Sequence, residues 1–189
     1  MAMPSAAKHW TVDDLAALPD DGNRYEIIDG ELLVTPAPSW RHQRIVRALF
    51  KHLLAYLEQH PVGEVLASPA DVAFARDFSV QPDLFVVPLD RERQRPPESL
   101  AEAGRLLLAV EVLSRGSMRT DRYRKRPRYQ QERVPEIWIV DGDARLIERW
   151  RPDDTVPEVL REELIWHPDA AHPPLVIDLV AVFREAGVD

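Results

Sequence analysis

Leu106-Leu107-Leu108-Ala109-Val110-Glu111-Val112-Leu113 is the stretch that decides the fold. Apolar residues fill both faces of an extended chain here until Glu111 intervenes, the pattern of a strand buried on both sides within a sheet. The run Leu84 to Val87, opened by Gln81-Pro82-Asp83 and ended by Pro88, reads as a second such strand. An acid at the edge of a buried strand loses hydration that apolar neighbours do not replace, a cost of roughly several kcal/mol unless a cation or donors compensate. Two such acids, Asp83 and Glu111, followed by a lysine at position 125, point to a divalent-metal site able to hydrolyse phosphodiesters.

The flanking sequence supplies the layers around these strands. Thr11-Val12-Asp13-Asp14 resembles a capping box and predicts a short helix over Val12 to Leu18, stopped by Pro19. Arg24 to Ile28 and Glu31 to Val34 read as a hairpin turned by Asp29-Gly30. Ser39 is placed to cap a long helix from about Trp40 to His60, where Ile45, Val46, Leu49, Leu53, Tyr56 and Leu57 recur on one face. Strands are expected at Glu64 to Ala67 and Asp71 to Ala75, then a polar loop from Asp90 to Gly104. A basic helix is expected from about Thr120 to Arg133, kinked or started late by Pro127. Glu136 to Val140, Ala144 to Arg151 and Glu158 to Trp166 read as strands, and Ile177 to Glu185 as a closing helix. This order of elements fits an α/β (α+β) fold, a mixed β-sheet flanked by helices.

At 189 residues the chain is long enough for one sizeable core and too short for two ordinary domains, so a single domain over 1–189 is expected, with its core at about 24–183 and a helical extension at 1–23. There are no cysteines, hence no disulfides and no thiolate metal site. The N-terminus lacks the apolar stretch of a signal peptide, and no run reaches membrane-spanning length, so a cytoplasmic protein without membrane contact is expected. The net charge of −8 argues against indiscriminate nucleic-acid binding. The charge is uneven, however: Arg115 to Arg128 holds seven basic residues and one acid, Asp121. Such a strip is either a solvated helix face or a contact for backbone phosphates. Arginine outnumbers lysine 21 to 3, so the compact ammonium at 125, set among arginines, suits an approach to water at a metal better than a planar guanidinium would.

Magnesium takes oxygen ligands and is usually held by one or two carboxylates plus substrate phosphate. Asp83 and Glu111 suit that role, with Glu26 or Glu31 of the hairpin as a third acid and Lys125 stabilising developing negative charge. Each also has a plainer reading: an acid in a Pro-Asp turn for Asp83, a salt bridge for Glu111, hairpin surface for Glu26 and Glu31, a solvated helix residue for Lys125. His42 falls on the inward stripe of the long helix, either as a hydrogen-bonded core histidine or facing phosphate. Trp138 and Tyr129 read as core or dimer residues. The six histidines form no metalloprotease motif, which argues against zinc.

Tyr25-Glu26-Ile27-Ile28-Asp29-Gly30-Glu31-Leu32, Pro38-Ser39 with His42-Gln43, Pro82-Asp83, Val110-Glu111-Val112-Leu113-Ser114, then Asp121, Lys125, Tyr129 and Val134-Pro135-Glu136-Ile137-Trp138-Ile139-Val140-Asp141 together resemble the Uma family, named for restriction endonucleases and grouped with the PD-(D/E)XK nucleases. The resemblance implies a restriction-endonuclease-like core that cleaves DNA with Mg2+ (or Mn2+). It implies Glu26, Asp83, Glu111 and Lys125 as catalytic residues, with Asp83 and Glu111 on the metal. Leu113 stands where the superfamily has its lysine, so that role passes to Lys125 on the following helix. His42, Arg119, Arg122 and Arg124 become candidates for substrate contact, and a homodimer is expected for cutting both strands. A nuclease-fold binding module without catalysis, or a hydrolase of a small phosphorylated substrate, are the competing readings.

Overall fold

The computed structural model describes residues 8–15, 17–89, 99 and 105–188. Helix α1 (Val12–Leu15) precedes the hairpin β1 (Arg24–Ile28) and β2 (Glu31–Thr35), and helix α2 (Trp40–Gln59) follows. Then come β3 (Gly63–Ala67), β4 (Val72–Ala75), β5 (Phe78–Val80), β6 (Leu84–Pro88) and β7 (Leu108–Val112). A basic helix is built from α3 (Met118–Thr120), a π turn (Asp121–Lys125) and α4 (Arg126–Gln131). The chain continues through β8 (Glu136–Asp141), β9 (Leu146–Trp150), β10 (Glu158–Leu160), β11 (Glu163–Trp166) and β12 (Leu175–Asp178) to α5 (Leu179–Glu185).

The central sheet runs β10-β9-β8-β7-β6-β3, and a second sheet runs β2-β1-β5-β4. Strands β7 and β8 pair parallel while the other recorded pairs are antiparallel, so the sheet is mixed, and helices flank it as the sequence predicts. The basic helix makes the β7-to-β8 crossover that a parallel pair requires. Strand alternation then sorts the core. Leu84, Val86, Leu108, Val110, Trp138 and Val140 face α2 and α5, while Phe85, Val87, Ala109, Ile137 and Ile139 face the second sheet and Tyr129. Asp83 and Glu111 share the parity of this second face.

Several expectations change in detail. Helix α1 stops at Leu15, and Ala17 and Leu18 continue as i→i+3 turns. Strand β5 has no counterpart in the sequence reading. Glu158 to Trp166 is two strands in different sheets, divided at Arg161-Glu162, because β10 extends the central sheet while β11 pairs β12. Residues 175–178 form that partner strand, so the last helix starts at Leu179 rather than Ile177, capped by Asp178. Pro127 does not delay the basic helix. The helix begins at Met118, and its π turn passes the Arg126 N–H to the Asp121 carbonyl, a five-residue step that leaves Pro127 in the first turn of α4, where a missing N–H costs little. Apart from Ser99, the expected 90–104 loop lies outside the described residues. No helix among those residues is long and apolar enough to cross a membrane.

Candidate active site

Five elements meet at one end of the central sheet. Leu84 of β6 pairs with Val110 of β7, so the next step of the antiparallel register sets Asp83 beside Glu111. Strand β1 brings Arg24 and Glu26 over them from the second sheet, as alternation predicts for that pair. Its position is fixed by the turn that follows it, where Asp29 and Gly30 have φ of 55° and 74° and a Cβ at Gly30 would collide with the His9 ring. The π turn contributes Asp121 and Lys125 from one helix face, and the first turn of α2 contributes His42.

Burial makes these groups depend on each other. Residue exposures are 2% for Glu26, 4% for Asp83, 1% for Glu111, 2% for Asp121 and 2% for Lys125, values at which an unpaired charge is not tolerated. The Lys125 Nζ lies 2.7 Å from Glu26 Oε1, 3.4 Å from Asp121 Oδ1 and 3.4 Å from Glu111 Oε1. Tyr129 donates its hydroxyl to Glu111 Oε1 at 2.6 Å, and Gln81 N–H donates to Glu26 Oε1 at 2.8 Å. Asp83 is engaged on both oxygens: Arg24 donates to Oδ1 at 2.8 Å, while Oδ2 takes the Val112 N–H at 2.8 Å and meets His42 Nε2 at 2.9 Å.

Desolvation and charge act in opposite directions on this cluster. Burial favours the neutral Asp83 carboxyl, but the His42 hydrogen bond and charge and the Arg24 guanidinium outweigh it and hold Asp83 below its ordinary value. Burial raises Glu111 well above the usual carboxylate range, with the Lys125 ammonium opposing and the Asp121, Asp83 and Glu26 charges adding to it. Asp121 is raised for the same first reason, again against Lys125. Burial would strip Lys125 of its proton, but Glu111, Glu26 and Asp121 reverse this and hold the ammonium above its ordinary value. Lys125 is therefore a fixed positive charge and not a proton acceptor at neutral pH.

A cleft of about 290 Å³ opens onto this cluster, lined among others by Arg24, Glu26, His42, Asp83, Glu111 and Lys125. The candidate catalytic residues read from the sequence thus share one cavity. Glu31 does not: its side chain is 65% exposed and pairs with Arg124. The three candidate arginines lie elsewhere. Arg122 is held by Glu148 and Asp141, Arg124 by Glu31 and the Ile28 carbonyl, and Arg119 is exposed without an ion pair among the described residues. Three groups of the cluster were not assigned to it from sequence. Asp121 was visible as the lone acid four residues before Lys125, Tyr129 as the residue one turn beyond it, and Arg24 as the face-mate of Glu26.

Among the described residues no three His, Asp or Glu side chains form a ready ligand set for a metal. The donor chemistry nonetheless fits a hard cation. Four buried acids, Glu26, Asp83, Glu111 and Asp121, concentrate carboxyl oxygens, the donor type magnesium takes, around Arg24 and Lys125. Asp83 and Glu111 are the pair that would hold such an ion, with water and substrate oxygens completing its shell, as magnesium usually requires.

Fold and cleft together define a restriction-endonuclease-like α/β protein. The chain belongs to the Uma2 family, whose model, described as "Putative restriction endonuclease", matches residues 12–179. Among solved structures the chain is similar to a "putative nuclease belonging to DUF820" from Anabaena variabilis ATCC 29413, at 17% identity and a TM-score of 0.75, over 93% of this chain and 98% of that one. At that identity the likeness establishes the shared fold. No curated protein matches the chain in sequence.

Proposed function

We propose that this protein is a Mg2+-dependent endonuclease that hydrolyses DNA phosphodiester bonds. The observation that carries the reading is the convergence of Glu26, Asp83, Glu111 and Lys125 on one open cleft from β1, the start of β6, β7 and the π turn. A magnesium ion held there supplies positive charge against a phosphate and acidifies water. The chain's own groups do the rest. Asp83, kept ionised by Arg24 and His42, and Glu111, oriented by Tyr129, hold the ion. Lys125 keeps its proton and stabilises negative charge developing on the phosphoryl oxygens. Glu26 anchors the ammonium by its 2.7 Å contact. Arg119, exposed on the basic helix and without an ion pair among the described residues, is the candidate for backbone phosphate contact. Two copies acting on the two strands of a duplex suit the symmetry of DNA.

The test is incubation of supercoiled plasmid and single-stranded DNA with Mg2+, Mn2+ or chelator. Metal-dependent nicking lost in Asp83→Asn, Glu111→Gln and Lys125→Ala is the expected result; equal cleavage by the variants would remove the reading. One observation favours a second reading, a nuclease-fold binding or interaction module without catalysis: both Asp83 oxygens already carry protein partners. Wild-type protein that binds DNA but leaves it intact with every metal supports that alternative.

A further inference from the structure

The turn between β8 and β9 brings further basic groups to the end of the central sheet that holds Asp83 and Glu111. Strand β8 runs parallel to β7 with Val112 opposite Val140, so the chain after Asp141 turns at that same end. Strand β9 starts there at Leu146, and β10, antiparallel to it with Leu160 opposite Ile147, finishes there. Arg145, just before β9, and Arg161, just after β10, are thereby placed side by side. They stand two to three strand positions from Glu111, on the order of 10–15 Å at roughly 4.8 Å per strand.

Both line a hollow of about 340 Å³ that Arg184 of α5 completes, with Val180, Phe183 and Val188 as an apolar floor. Among the described residues no acid lines it, whereas the cleft holds Glu26, Asp83, Glu111 and Asp121. The three arginines are exposed and have no ion pair among the described residues, while Arg41, Arg47, Arg122, Arg133 and Arg149 are each paired with an acid. The end of α5 does not use Arg184 as a cap, because the N–H groups of Ala186, Gly187 and Val188 donate to the carbonyls of Val182, Arg184 and Phe183. Arg161 donates from Nη1 to the Ala144 carbonyl at 2.9 Å, which holds its guanidinium beside Arg145 without neutralising it. Arg145 has a φ of 51°, a backbone region that suits Gly or Asn and that an arginine enters at a cost.

Three guanidiniums gathered around one hollow without a counter-charge repel one another, and a hollow lined by one sign of charge concentrates ions of the other. In a protein of net charge −8 this is a local anion site. Planar guanidinium forks match phosphate oxygens, and the apolar floor matches the carbon face of a sugar. We propose that Arg145, Arg161 and Arg184 grip a sugar-phosphate segment of the DNA strand whose scissile phosphate lies in the cleft, about three to four nucleotides away at a rise of roughly 3.4 Å each. The proposal rests on the cleft being a nucleic-acid backbone site, and it adds a second anchor that sets the direction in which the strand leaves the cleft, across the ends of β8 and β9 toward β10.

The test is fluorescence anisotropy in chelator, where no cleavage intervenes, titrating a duplex at several salt concentrations. Arg145→Gln/Arg161→Gln/Arg184→Gln is expected to bind roughly tenfold more weakly and to lower the salt slope by about 2 to 3, close to one unit per phosphate released. The matching triple lysine variant keeps the charges and is expected to keep most of the slope. Arg184→Gln alone, an exposed helix residue with no ion pair to lose, is expected to lower the slope by about 1, which keeps the test decisive where the triple variant does not fold. An unchanged slope in a folded glutamine variant overturns the proposal. Calorimetric titration with inorganic phosphate and with dAMP covers the other source of phosphate: binding of either that the triple glutamine variant loses, with DNA affinity unchanged, makes the hollow a small-molecule site and likewise overturns it. Plasmid nicking measured in parallel separates this proposal from the nuclease reading. Metal-dependent nicking with an unchanged slope leaves the nuclease and removes the arginine anchor, while a lowered slope without nicking by wild type in any metal leaves the anchor and removes the nuclease.

Discussion

Lys125→Met keeps the unbranched stem of the side chain and removes its ammonium, leaving Glu26, Asp121 and Glu111 to face each other at 1–2% exposure. Removing one partner from a buried ionic network costs about 3–5 kcal/mol, a large part of the roughly 5–15 kcal/mol by which domains are stable. For a chain of this length that corresponds to a fall in melting temperature on the order of 10 °C. The loss has a definite pH dependence. Glu111 and Asp121 already bind protons more tightly in the fold than in the unfolded chain, because burial raises both. An acid raised in this way favours the fold fully below its ordinary carboxylate value, and that contribution declines as pH rises toward the folded value. Without the ammonium both shifts grow. The variant's deficit is therefore expected to be large at pH 8 and much smaller at pH 5, in thermal melts followed by circular dichroism. A Lys125→Met protein melting within about 2 °C of wild type at pH 8 would refute a buried network centred on this lysine.

Asp83 behaves with the opposite sign. Its folded value lies below the ordinary one, so its contribution is present above the ordinary carboxylate range and is lost as pH falls through the folded value; urea unfolding of Asp83→Asn between pH 7 and 3 is expected to have a shallower acid limb than wild type. Arg122→Ala is expected to lower thermal stability while leaving the salt dependence of DNA affinity unchanged, because the guanidinium is held by Glu148 and Asp141. Arg119→Ala is expected to reduce that salt slope by about 1 without a stability change, measured by anisotropy titrations at several salt concentrations. Ser39→Ala removes the acceptor for the His42 N–H at the start of α2 and is expected to cost about 1 kcal/mol in chemical denaturation.

What was legible in the sequence is what local chemistry dictates. The hairpin could be read because Asp29-Gly30 is a turn that needs positive φ at both positions, and α2 because its apolar stripe and Ser39 cap agree. Strands β6 and β7 were visible as apolar runs, and their acids stood out because such runs do not otherwise contain them. Strand β5 escaped because three residues are too few to establish a period of two. The division of 158–166 escaped because nothing local to Arg161-Glu162 says that its two halves join different sheets. The site was half legible for the same reason. Spacing finds Lys125 and Asp121 on one helix face, but only the tertiary fold turns that face toward β7 and brings Arg24, Tyr129 and His42 onto the carboxylates. The basic strip was misleading in one respect. Read as a phosphate contact, it consists in good part of arginines engaged by the protein's own acids, Arg122 and Arg124 among them, which composition cannot reveal.

Binding of Mn2+ by titration calorimetry tests the central claim most directly, since it asks about the ion without requiring turnover. Wild type is expected to bind one ion per chain, Asp83→Asn and Glu111→Gln to lose it, and Glu31→Gln, altered outside the cleft, to keep it. Undiminished binding by a folded Asp83→Asn/Glu111→Gln double variant would contradict the assignment of these two carboxylates to the metal.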